Sequence, residues 1–134
     1  MEFRVVRLED MPRGERFDLV LAIDCIHELP DPVGELRNIR KLLNENGILF
    51  WSEPTANRDP VGKMRANLSP YHCLTVSLAT GGAGLGTIIS ETGARALASE
   101  AGFKHFEKLD IASAMQQLFM VGDGNGIPSR SRID

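Results

Sequence analysis

The chain has 134 residues, 43% of them hydrophobic, and a formal net charge of −3. That is enough apolar side chain for the core of one domain. The charge gives no electrostatic basis for binding nucleic acid or an anionic membrane, and no apolar run is long enough to span a bilayer as a helix. The two cysteines, Cys25 and Cys73, are too few for a disulfide framework and lack metal-ligand spacing, so no metal site is expected. The start, Met-Glu-Phe-Arg, has neither the basic opening nor the apolar core of a secretory signal, and a cytoplasmic protein is the expectation.

Residues 2–6, EFRVV, read as a short strand, and residues 8–16 as a charged connector containing Pro12 and Gly14. Residues 17–23, FDLVLAI, are an almost unbroken apolar run, which predicts a strand buried on both faces of a parallel sheet. The chain then turns polar. Asp31 is a good N-cap, and Pro32 suits the first helical position, where its missing N–H costs nothing. Val33, Leu36, Ile39 and Leu43 follow at helical spacing on one face. Residues 44–47 are expected to end the helix, with Gly47 as a left-handed cap. Residues 48–51 form a second apolar run, closed by Ser52, Glu53 and Pro54. Two strands around one helix predict a right-handed βαβ unit. Ligands of such sheets collect beyond the carboxyl ends of the strands, and there the chain carries Asp24, Cys25, His27, Glu28 and Glu53.

Further along, residues 61–68 have weak helical character, broken by Ser69 and Pro70. Residues 71–79 suit a helix or a strand; periodicity does not separate the two. After a glycine loop at 80–87, Ser90 caps a helix with the apolar stripe Ala94, Leu97, Ala98 and Ala101, stopped by Gly102. Residues 103–111 and 116–121 read as strands. Residues 122–134, rich in Gly, Ser and Arg, read as a disordered tail, giving one domain at 1–121.

Each candidate residue has a functional and a structural reading. His27 beside Asp24 and Glu28 suits a general base, or all three are ordinary loop polar groups. Glu53 faces an acceptor, or pairs with Arg58 or Lys63. Tyr71, His72 and Cys73 belong to a substrate lid or, as the better reading, are partly buried against the sheet. Cys25 reads as a small core residue, Trp51 as core and His105 as solvent-facing. Gly81, Gly82, Gly84 and Gly86 with Glu107 about 20 residues on resemble a dinucleotide fingerprint. Ile88 and Ile89 nevertheless separate the loop from the helix cap at Ser90. A phosphate cradle needs that junction, so a structural or lid loop is the favoured reading.

The order FDLVLAIDCIHELPDP, then LRNIRKLLNENGILFWSEP, then DPVGKMRANLSPYHCLTVSLATGGAGLGTIISETGARALASEAGF, resembles the fourth strand, fourth helix, fifth strand and following region of class I S-adenosylmethionine-dependent methyltransferases. The resemblance implies an α/β fold: a partial Rossmann-like methyltransferase sheet, three-layer α/β/α, with an antiparallel last strand. It implies methyl transfer from S-adenosylmethionine to a small-molecule acceptor. Leu8, Glu9, Ala22, Ile23 and Asp24 would line the cofactor, and His27, Glu28 and Glu53 the reacting centre. Arg7 stands where the family places an acid on the adenine side. The family's glycine-rich turn and ribose-binding acid belong upstream of residue 2, so weak or absent cofactor binding by this chain alone is expected. Two alternatives accompany this reading: a non-enzymatic remnant acting as an interaction module, and a nucleotide-binding protein using the loop Gly81 to Gly86. With the family's first strand missing, residues 17–23 would form an open edge, which predicts a homodimer.

Overall fold

The structure, a computed structural model, describes residues 3–55, 60–111, 113, 115–124 and 127. Its elements are β1 (Phe17–Ile23), α1 (Pro32–Leu42), β2 (Leu43–Pro54), α2 (Pro60–Leu68), α3 (Cys73–Ala79), α4 (Glu91–Glu100), β3 (His105–Lys108) and β4 (Gln116–Gly122). The four strands form one sheet in the order β1-β2-β4-β3. β1 and β2 are parallel around α1, whereas β4 runs antiparallel to both β2 and β3. This is the expected partial Rossmann-like α/β sheet with an antiparallel last strand.

The helix starts follow their caps. Asp31 accepts a bond from the Gly34 N–H at 2.9 Å with Pro32 next to it, and Ser90 accepts from the Gly93 N–H at 3.0 Å. α4 ends at Gly102, whose φ of 94° is the left-handed region glycine tolerates.

Pleating divides the sheet into two unequal faces. On one, register aligns Val20, Leu49, Val121 and Phe106 in a first row, and Ala22, Trp51 and Phe119 in a second. Leu36 and Ile39 of α1 and Ala94 and Ala98 of α4 pack onto these rows to form the core. Trp51, Phe119 and Phe106 stack there with ring centroids 4.8–6.4 Å apart. The opposite face carries Leu19, Leu21 and Ile23, which are 54–60% exposed. The described residues thus build the sheet and one helical layer of the three expected.

Several expectations are corrected. β1 is buried on one face, not both, because no helix of the described chain covers Leu19, Leu21 and Ile23. Residues 3–6 form no strand; Phe3 and Val5 are exposed, since the connector brings them to no strand edge. α1 stops at Leu42, and Leu43 already has extended geometry as the first residue of β2. Gly47 is not among the positive-φ glycines. Its role is close approach: the β1–β2 register slips between Phe17 and Leu19, and a Cβ at Gly47 would stand 2.8 Å from the Phe17 carbonyl oxygen. Residues 71–79 resolve into a 3-10 turn and α3. The tail was expected from Gly122, yet Gly122 closes β4, and Asp123 pairs with Arg40 at 2.7 Å. Residues 125, 126 and 128–134 of that tail lie outside the described residues.

Candidate active site

The parallel register pairs Ile23 with Ser52, so the residues following β1 lie alongside the end of β2. The Asp24 N–H donates to the Ser52 carbonyl at 2.8 Å. Asp24 then takes φ 54°, the only positive φ among described non-glycine residues. Asp tolerates that conformation better than most residues, and it turns the chain off the sheet into a 3-10 turn at Ile26–Glu28.

That turn delivers His27 onto Glu53. Both are buried, with His27 2% and Glu53 0% exposed. Three donors converge on the carboxylate: Ile26 N–H at 3.0 Å and Trp51 Nε1–H at 2.8 Å reach Oε1, and His27 Nδ1 lies 2.6 Å from Oε2. A carboxylate is acceptor-only, so His27 donates from Nδ1 and its neutral form carries the lone pair on Nε2. Burial pulls the His27 pKa down, but the hydrogen bond and charge of Glu53, aided by Asp24 and Glu28, prevail and raise it above 6.5. The pair is a buried base with a fixed tautomer, braced by a backbone amide and an indole.

His27 forms part of the wall of a cleft of about 430 Å³ beyond the strand ends, with Asp24, Glu28, Pro54, Cys73 and Thr87 among its neighbours. α2 contributes Leu68, and the 3-10 turn that follows it contributes Tyr71. Tyr71 is 83% exposed at the rim, which corrects the expectation of partial burial; in the same cluster His72 is exposed and Cys73 buried. Burial raises the Cys73 thiol, a hydrogen bond with Thr87 offsets part of this, and a hydrogen bond with Glu28 raises it further. Burial and the Glu53 charge likewise raise the Cys25 thiol, so neither cysteine is an activated thiolate.

The structure brings Asp24, His27, Glu28 and Glu53 to one place, with His27 Nδ1 3.9 Å from Asp24 Oδ1 and Nε2 3.7 Å from Glu28 Oε1. It does not bring Leu8 and Glu9 there. They line a separate groove against Asn38, Lys41 and Leu42 of α1. Ala22 is core, and the Ile23 side chain points to the open sheet face. Glu53 pairs with His27 and not with the exposed Lys63; Arg58 lies outside the described residues. Reading the sequence missed Trp51 as a donor to Glu53, since an indole in an apolar run signals core alone. It also missed Thr87 and Cys73 as cleft neighbours of His27.

The glycine loop turns amides of Gly82 and Gly84 inward onto Ser77. Gly82 N–H donates to the Ser77 carbonyl at 2.7 Å and Gly84 N–H to Ser77 Oγ at 3.1 Å. α4 begins well beyond it, at Glu91, so no phosphate cradle is formed.

A family model for a methyltransferase domain matches residues 2–108. The chain belongs to the methyltransferase-domain family. Among curated relatives, a tRNA U34 carboxymethyltransferase of Campylobacter jejuni is 33% identical over 51 residues, covering 37% of this chain and 18% of that protein. A ubiquinone biosynthesis O-methyltransferase of Neisseria meningitidis is 32% identical over 62 residues, 45% of this chain and 25% of that protein. The chain therefore spans a quarter or less of the length of these methyltransferases. Two solved structures share the fold. The DszA carbon methyltransferase has a TM-score of 0.65 at 22% identity, over 92% of this chain and 34% of that one. The methyltransferase CalH, solved with S-adenosylhomocysteine, has a TM-score of 0.61 at 24% identity, over 90% and 34%. Among the described residues, no helix of this family member is long and apolar enough to cross a membrane.

Proposed function

We propose that this chain carries the acceptor side of an S-adenosylmethionine-dependent methyltransferase acting on a small molecule, with His27 as general base. The observation that carries the reading is the 2.6 Å contact between His27 Nδ1 and the buried Glu53 carboxylate. It engages Nδ1 and leaves Nε2 as the proton-accepting nitrogen of a residue that lines the cleft. Asp24 lines that cleft and is the one cofactor-side candidate there, whereas Leu8 and Glu9 stand apart. The described residues therefore fit the methyl donor at one end only. When bound, S-adenosylmethionine supplies an electrophilic sulfonium methyl. His27 Nε2 would take the proton from the acceptor's O–H or acidic C–H, and Glu53 would stabilise the resulting imidazolium; the bond from the methyl carbon to sulfur would break as the bond to the acceptor forms, with the thioether S-adenosylhomocysteine as the leaving group. Positioning supplies the rest of the rate, because an in-line displacement needs alignment above all. Glu28, half-buried beside Nε2, borders the acceptor.

The same reading takes the chain to be a homodimer. β1 lies at the sheet edge, and Leu19, Leu21 and Ile23 form an exposed apolar row beside its unpaired backbone groups, a combination that recruits a partner. A cytoplasmic setting agrees with the two free thiols, Cys25 and Cys73.

The function is tested by incubating the chain with methyl-labelled S-adenosylmethionine at millimolar concentration and a panel of phenolic and enolisable small molecules. Label appearing in an acceptor, with a rate that rises with pH through a pKa above 6.5, supports the reading. Transfer with no such limb would overturn the role of His27.

A further inference from the structure

His27, Glu28 and Cys73 each place a potential ligand atom within 4.8 Å of the other two. His27 Nδ1 is committed to Glu53 at 2.6 Å, so the ring's contribution is Nε2, 3.7 Å from Glu28 Oε1. Tetrahedral zinc, with bonds of about 2.0–2.3 Å, separates its ligand atoms by roughly 3.3–3.8 Å. The histidine–carboxylate spacing already falls in that range. Glu28 is half-buried on a short turn, and a small rotation of its side chain closes the remaining gap.

The donor set is chemically selective. A thiolate, an imidazole and one carboxylate suit zinc, whereas magnesium and calcium favour all-oxygen shells. Behind the imidazole stands the partner that ligating histidines usually have: a carboxylate on the other ring nitrogen, fixing tautomer and orientation. A second trio, Asp24, His27 and Glu53, is also close. It is the poorer site, because Glu53 already holds Ile26, Trp51 and His27, and an ion there would displace those bonds.

We propose that His27 Nε2, Glu28 and Cys73 Sγ form a three-ligand site for a zinc ion, with the fourth position open to the cleft. Cys73 is a buried free thiol that lines the same cleft as Glu28. On binding, the S–H bond breaks, its proton leaves to solvent, and sulfur keeps the electron pair that it gives to the metal; no redox partner is needed. The ion uses the same Nε2 lone pair that methyl transfer would use, so zinc excludes the base from that step and acts as an inhibitor. Ligation is measured without turnover, so this inference and the methyltransferase reading fail separately.

The test is calorimetric titration of the full chain with zinc chloride, with cobalt(II) as a spectroscopic substitute. One equivalent of zinc should bind, and cobalt should show a thiolate charge-transfer band. Cys73→Ser should abolish the band and weaken zinc binding by at least the roughly 10–100-fold that loss of an outer-shell partner costs, since Cys73 would be a direct ligand. Glu28→Gln should weaken zinc while keeping the band, and Cys25→Ser should leave both unchanged. Absence of saturable zinc binding, wild-type affinity in Cys73→Ser, or loss of the band in Cys25→Ser would each overturn the proposal.

Discussion

Replacing Glu53 with Gln separates the charge of this residue from its shape. In the wild type, Oε1 accepts from Ile26 N–H and Trp51 Nε1–H, and Oε2 faces His27 Nδ1. A glutamine can keep its single oxygen where two donors already converge. Its amide N–H₂ then faces His27, and a donor there forces Nδ1 to accept, moving the ring proton to Nε2. The base is thereby lost without a cavity. A misplaced proton of this kind should lower methyl transfer by roughly 10²–10⁴-fold, the range that a positioned base supplies. Exchanging a charge-assisted bond for a neutral one should cost about 1–2 kcal/mol of stability. The sign with pH follows from the raised His27 pKa. In the wild type the His27 contribution is fully present below its ordinary value of 6.5 and is lost as pH rises through the raised folded value. With Glu53 neutral, burial dominates and the His27 pKa falls, so this contribution disappears. The stability difference between wild type and Glu53→Gln should therefore be largest below 6.5 and shrink as pH increases. Nitrogen-15 NMR of the imidazole reads the tautomer, and urea unfolding across pH reads the linkage. An Nδ1–H tautomer and unchanged His27 pKa in Glu53→Gln would refute the reasoning.

Two further outcomes follow from the geometry. Titration with S-adenosylmethionine should give a Kd weaker than about 1 μM, because an affinity of roughly 8 kcal/mol is hard to assemble when Leu8 and Glu9 line a different groove from Asp24; a sub-micromolar Kd on the purified chain would contradict this. Leu21→Lys should convert a dimer to a monomer in light scattering with little change in melting of the monomer, since Leu21 is 60% exposed; an unaltered dimer mass would remove β1 from the interface.

How much of this was readable from sequence differs by element. α1 was legible because Asp31 and Pro32 mark its start and Leu36 and Ile39 its buried face, all local signals. The antiparallel β4 came from family resemblance and not from its residues. The end of α1 was misread: Leu43 continues the helical spacing, but pairing with Phe17 draws it into β2. The exposed outer row of β1 was misread for a related reason, since an apolar run reports the preference of a strand and not what is available to cover it. At the site, His27 and Glu53 were both candidates, yet their partnership was hidden by a separation of 26 positions along the chain. A signal existed. Two parallel strands with adjacent carboxyl ends place the residues just past one end beside the last residues of the other, and only one histidine and one buried acid occupy those positions. Cys73 had no comparable signal, because its approach to His27 depends on how α3 packs over the strand ends.

The central claim is that His27 is the base of a methyl-transfer site. It is tested most directly by single-turnover transfer of labelled methyl at saturating S-adenosylmethionine, comparing wild type with His27→Ala after confirming by circular dichroism that the variant folds. The account predicts a rate lower by roughly 10²–10⁴-fold with cofactor affinity within a few-fold of wild type. An unchanged rate, or a loss of rate matched by an equal loss of cofactor affinity, would contradict it.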